Sequence, residues 1–199
     1  MSVWIASVDQ TTGAMPALVT QWLDKRYGTR RPLSGRYYGA ANHALSVGTV
    51  GTATLRAIPF HISIAAAFNE ISIEVTTAAA STNVRLGIYA NDTTRDCPGA
   101  LIVDAGTVAA TTTGVKALTI NQTLQPGLYW LASVAQGGNP ELRTLVGSLA
   151  PVADTAFATT PTLEPNCYFM GGVTTVLPAW SGATPTASSG APKIMLKAS

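Results

Sequence analysis

The chain has 199 residues, of which 47% are hydrophobic and only 11% charged, and its formal net charge is +2. That length suits one domain with an added segment, or one large sandwich. The composition excludes a bilayer-spanning helix, a disulfide-dense scaffold and a strongly basic nucleic-acid groove.

The charged share is less than half the usual quarter. A monomer that must stay soluble alone normally carries more. Much of the polar surface must be Thr, Ser, Ala and Gly, and part of it is expected to face other proteins. A secreted or thermally tough monomer with a Thr-rich surface is the plainer alternative. The positive charge is concentrated early: Lys25, Arg26, Arg30, Arg31 and Arg36 stand against Asp9 and Asp24 in the first forty residues. Five basic residues fit docking on an acidic protein surface as well as they fit anything else.

Residues 2–8 (SVWIASV) are a short apolar run, read as an extended arm. They lack a basic n-region and a sustained hydrophobic core, so no secretory signal is expected. Pro16 opens ALVTQWLDKRY and Gly28 closes it, the usual asymmetry of helix ends. Leu18 with Trp22, and Val19 with Leu23, form an apolar stripe at i,i+4. Lys25 and Arg26 suit the C-terminal end of the helix dipole. Such a short helix is marginal in water and needs a partner surface. Residues 28–36 read as a linker. The expected organisation is therefore an arm, helix and linker over 1–35, for docking or oligomerisation, and a β-sandwich domain over 36–199.

Within 36–199 the signals are those of strands. Leu55 and Ala57 lead into Ile58, Phe60, Ile62 and Ile64 with one phase shift near Pro59, which predicts an edge or a bulge. In ISIEVTT, Ile71, Ile73 and Val75 are inward and Ser72, Glu74 and Thr76 outward. In VRLGIY, Val84, Leu86 and Ile88 form one face, leaving Tyr89 on the other. Asn91–Asp96 and Gln125-Pro126-Gly127 are turns. In LYWLASV, Leu128, Trp130, Ala132 and Val134 read as the core face, with Tyr129 pointing outward or to a subunit. LIVDAGTVA, VKALTI, CYFMGG and KIMLKA supply further strands, and residues 150–166 and 178–192 two long loops. Eight to ten such strands predict an all-β, antiparallel, jelly-roll-like sandwich.

No residue pattern carries catalysis. GxSxG, HExxH and the P-loop are absent, and His43 and His61 have no nucleophile in a suitable setting nearby. Cys97 and Cys167 are expected as two free thiols, with no CxxC and no zinc site. Asn91, Asp92 and Asp96 could ligate calcium, but these are also ordinary turn residues, and a structural turn is favoured. Neither metal nor cofactor is expected. Tyr89, Tyr168 and Trp180 are candidate stacking rings for a sugar; a loop-anchoring role for Trp180 is the plainer reading. Trp4, Leu18, Trp22, Arg26, Arg30 and Arg31 are the candidate docking residues.

LGIYANDTTRDCPGALIVDAGTV followed by LQPGLYWLAS, and preceded by LRAIPFHIS, resembles the β-sandwich domain of many phage-encoded structural proteins: tail fibre, head fibre and minor tail proteins. The resemblance runs from about Arg36 to the C-terminus. It implies a non-enzymatic virion appendage subunit, made in the host cytoplasm and located on the particle. Its partners would be other virion proteins and sister copies, with a trimer favoured, and host surface polysaccharide is a candidate ligand. Nucleic acid and membrane insertion are not expected. A capsid decoration or cement protein and a carbohydrate-binding module are the alternative readings.

Overall fold

The computed structural model describes residues 32–39, 44–146, 167–180, 186–188 and 190–199. Twelve strands lie among them: β1 (Tyr37–Gly39), β2 (Ala44–Thr49), β3 (Leu55–Ile62), β4 (Ala66–Thr77), β5 (Asn83–Asp92), β6 (Cys97–Ala109), β7 (Gly114–Leu124), β8 (Gly127–Gln136), β9 (Glu141–Val146), β10 (Cys167–Met170), β11 (Thr186–Ser188) and β12 (Met195–Ala198). They form two antiparallel six-stranded sheets. Sheet A runs β1-β12-β4-β9-β2, with β7 on the other edge of β4; sheet B runs β11-β10-β3-β8-β5-β6. Most connections cross from one sheet to the other, as an antiparallel β-sandwich requires. The expected helix over 17–27, the arm over 2–8 and the loop over 150–166 lie outside the described residues.

The core between the sheets is built by alternation. Ile71, Ile73 and Val75 of β4 face Val84, Leu86 and Ile88 of β5 across it, all nearly or fully buried. β4 begins earlier than its clean alternation suggests, because its pairing with β7 shifts register between Phe68 and Glu70. The bulge at Asn69 changes the phase, so Phe68 and Ile71 both point inward. Phe68 then meets Phe60 of β3 edge-on, with ring centroids 6.2 Å apart.

β3 needs no bulge at Pro59. Its register against β8 is continuous from Arg56 to Ile62. Ile58, Phe60 and Ile62 belong to the core between the sheets, whereas Leu55 and Ala57 belong to a second cluster on the outer face of sheet B. The apparent phase shift is one strand buried on both faces. Among the described residues β10 pairs only with Leu55–Ala57, so Pro59 has no partner strand on that side, the edge position the sequence allowed.

β8 is likewise buried on both faces, and its expected polarity is corrected. Leu131 and Ala135 face the core between the sheets, while Trp130, Ala132 and Val134 face the second cluster. Tyr129, expected outward, packs partly on the inner core. Its hydroxyl accepts from Gln125 N and donates to Gln125 O, clamping the Gln125–Gly127 turn. On the inner phase of β8 sits Ser133, fully buried, its hydroxyl without a hydrogen-bond partner. An unpaired buried hydroxyl costs about 1–3 kcal/mol. Ser133→Ala is therefore expected to raise the urea midpoint, by about 1 kcal/mol of stability; a fall in the midpoint would show that the hydroxyl is satisfied.

Candidate functional site

The outer face of sheet B is closed by the chain itself. Residues 171–180 form a strap running from the end of β10 across the sheet. Val173, Leu177 and Trp180 of the strap bury Leu55, Tyr89, Trp130 and Tyr168 beneath them. The Trp180 ring meets Tyr89 edge-on at 6.3 Å, and Trp130 meets Tyr168 at 5.3 Å. The strap is tied down along its length. Val173 N donates to Ala53 O (3.0 Å) and Trp180 N to Gly99 O (3.2 Å). The Gln136 side chain donates to Thr175 O (2.6 Å), and the Tyr89 hydroxyl to Pro178 O (2.8 Å). Burial pushes the Tyr89 phenol well above its ordinary pKa, so it remains a donor.

Tyr89, Tyr168 and Trp180, the candidate sugar-stacking rings, are thus brought together, but inside a second core, each at most 2% exposed. Tyr89 does lie on the opposite phase from Leu86 and Ile88, as expected; what covers that phase is the strap. A sugar could reach these rings only if the strap lifted. Trp180 acts as the anchor of its loop, seated on a sheet face.

Asp104 of β6 holds the middle of the strap. It accepts from Arg85 Nε at 2.8 and 2.9 Å, from Gly106 N at 3.1 Å and from Leu177 N at 3.4 Å. Burial alone would raise its pKa, but the hydrogen bonds from Arg85, Gly106 and Leu177 outweigh that and hold it below the usual value. Beside it, Gly87 leaves room for the strap: a Cβ there would lie 2.3 Å from Leu177 Cδ1 and 2.7 Å from Val103 O.

In the Asn91–Asp96 turn the oxygens are engaged within the chain. Asp92 Oδ1 accepts from Thr94 N and Arg95 N, and Asp92 Oδ2 pairs with Arg95 at 2.7 Å. Asn91 donates to Asp96 Oδ1 and accepts from Trp130 Nε1. Arg95 holds the Asp92 carboxyl below its ordinary pKa. Among the described residues no group of three His, Cys, Asp or Glu is placed to hold a metal ion. His61 is exposed and its ring contacts Ser63 Oγ at 3.4 Å; His43 lies outside the described residues. Cys97 and Cys167 are buried thiols on opposite faces of sheet B, outside any disulfide, and burial raises both pKa values.

The outer face of sheet A is different. Tyr37, Leu45, Val47 and Val115 are 44%, 50%, 49% and 68% exposed there. Arg143 donates to both oxygens of Glu74 (3.1 and 2.9 Å), lowering the Glu74 pKa, and the charge of nearby Lys193 lowers it further. Tyr37 hydrogen-bonds Glu70, and Lys197 lies over the Tyr37 ring. A groove of about 360 Å³ opens between Tyr37, Ser72, Glu74, Val115, Lys193 and Met195. Sequence reasoning missed this groove because its walls come from four distant strands. The candidate docking residues Trp4, Leu18, Trp22, Arg26, Arg30 and Arg31 lie outside the described residues.

No protein-family model matches the chain, and no curated protein matches it.

Two outcomes follow for the strap. Gly87→Ala is expected to cost about 1–3 kcal/mol by overpacking, and to redden the tryptophan emission as Trp180 loosens; unchanged stability and emission would contradict the packing. Asp104 has a depressed folded-state pKa, so its stabilisation is present above the unfolded value near ~4 and is lost as pH falls through the folded one. Asp104→Asn should lower the urea midpoint at neutral pH and flatten part of its acid dependence. An acid dependence identical to wild type would remove Asp104 from that role.

Proposed function

We propose that this protein is a non-enzymatic virion structural protein of the phage type, an appendage subunit of the tail-fibre or head-fibre kind. Its sandwich would be presented outward, and its residues 1–35 would dock it or hold its oligomer together. The observation that carries the reading is the unequal treatment of the two outer sheet faces. Sheet B is sealed by the strap, whereas sheet A leaves Leu45, Val47, Tyr37 and Val115 in solvent. Scattered exposed apolar residues are ordinary; several on one sheet face of a chain only 11% charged suit a surface that is covered in an assembly.

The edge of the sheet supports the same reading. Among the described residues β2 pairs only with β9. Its sequence ALSVGT has no charge and no proline, the devices by which proteins normally blunt a free edge. The resemblance of the 84–134 phrases to phage structural sandwiches supports a virion as the setting of that assembly. The buried positions of Tyr89, Tyr168 and Trp180 lend no support to glycan adhesion through those rings, so the reading rests on assembly.

The full-length protein is expected to sediment as a homo-oligomer at micromolar concentration, with three the favoured number. Leu45→Glu with Val47→Glu should raise the dissociation constant by about tenfold or more while leaving the urea midpoint unchanged. A wild-type monomer that also fails to incorporate into particles would count against the proposal.

A further inference from the structure

The strap over sheet B leaves the sandwich and returns to it at one place. Residues 171–180 follow β10 and precede β11, and these two strands pair with each other from Cys167↔Ser188 to Phe169↔Thr186. The strap is therefore an excursion from a hairpin, and lifting it breaks no strand pairing. Its first two residues, Gly171 and Gly172, are exposed, and a Cβ at either would meet nothing within 4 Å. Gly172 has φ +80°, which glycine adopts without strain. Two adjacent unencumbered glycines give the strap a hinge beside β10.

The strap is also held more thinly than the strands beneath it. Within 171–180 only Val173, Leu177 and Trp180 are buried, while Thr174, Thr175, Val176 and Ala179 are exposed. None of these residues lies in a strand. The strap backbone is fixed at single points, several of them to side chains. Gln136 donates to Thr175 O and the Tyr89 hydroxyl to Pro178 O, while Asp104 accepts from Leu177 N at 3.4 Å, close to the limit of a hydrogen bond. The Trp180 indole N–H is buried without a partner. That cost falls on the closed form alone, because water would satisfy the group on opening. β5 and β8, by contrast, are each paired on both sides within sheet B. Segments with few buried side chains and isolated hydrogen bonds open at lower free energy than core strands.

We propose that residues 171–180 are a lid, which opens as a unit on Gly171–Gly172 while both sheets stay folded. The closed form predominates, so the aromatic face is covered at almost every instant. The open form is a minor state that bares Tyr89, Trp130 and Tyr168 together. The proposal stands apart from the assembly reading, which concerns the outer face of sheet A. Two thiols report on it. Cys97 belongs to the cluster under the strap and Cys167 to the core between the sheets, and both are buried. Lid opening frees Cys97 and leaves Cys167 covered; global unfolding frees both.

Maleimide labelling of the native full-length protein tests this, with each cysteine followed by peptide mass and each rate divided by that of the same thiol in the unfolded chain. Cys97 should react about tenfold faster than Cys167, or more. Its rate should be nearly flat in low urea, whereas that of Cys167 should rise steeply, because urea dependence scales with the surface exposed. Tyr89→Phe keeps the ring and removes the tie to Pro178; it should speed Cys97 by about threefold and leave Cys167 unchanged. Equal rates with one urea dependence, Cys167 reacting first, or a Tyr89→Phe variant without a selective effect on Cys97 would each overturn the lid.

Discussion

Sheet B carries apolar side chains on both of its faces, and the rest of the molecule is arranged around that constraint. In β3, β5 and β8 many residues of both phases are apolar. One set, with Ile58, Leu86, Ile88 and Leu131, packs against sheet A; the other, with Leu55, Tyr89, Trp130 and Val134, needs a second cover. Burying a large apolar side chain is worth about 1.5–3 kcal/mol, so a sheet with a naked aromatic face would lose much of its margin. Residues 171–180 supply the cover. Gly87 makes room for Leu177, and Asp104, Gln136 and Tyr89 fix the strap backbone at successive points.

That closure has a functional consequence. The rings that could have formed a platform for a ligand are spent on stability. The surface left available is the outer face of sheet A, where β4 alternates cleanly and Ser72 and Glu74 point away from the core. Glu74 pairs with Arg143, Glu70 lies against Tyr37 and Lys197, and Lys193 adds a further cation. Between these charges Tyr37, Leu45, Val47 and Val115 stand exposed, beside an edge strand without charge or proline. In the proposed assembly this is the face that another chain would cover.

Much of the sandwich was legible in the sequence because half-buried strands announce themselves. Ile71, Ile73 and Val75 alternate with polar neighbours, and sheet A keeps that pattern. Sheet B does not, and there single-face reasoning failed in a specific way. It read the change from Ala57 to Ile58 as an edge or a bulge near Pro59, placed Trp130 in the principal core, and turned Tyr89 and Tyr129 outward or toward a subunit. The signal that was present is the near-continuous apolar run in LYWLASVA and in LGIY, which marks strands buried on both faces. The bulge at Asn69 hid the start of β4, since one extra residue inverts the period. Leu177-Pro178-Ala179-Trp180 gave no hint of which surface it crosses. The groove was invisible for the same reason: Tyr37, Val115 and Met195 meet only through strand order.

The central claim is that one outer face is sealed by the chain and the other is kept for covering. Hydroxyl-radical footprinting of the full-length protein, dilute and assembled, measures both faces in one experiment. The account predicts that Trp130, Tyr168 and Trp180 resist oxidation in both states, while Leu45 and Val47 are oxidised when dilute and protected on assembly. Rapid oxidation of Trp180 in the folded protein, or equal labelling of Leu45 and Val47 in the two states, would contradict it.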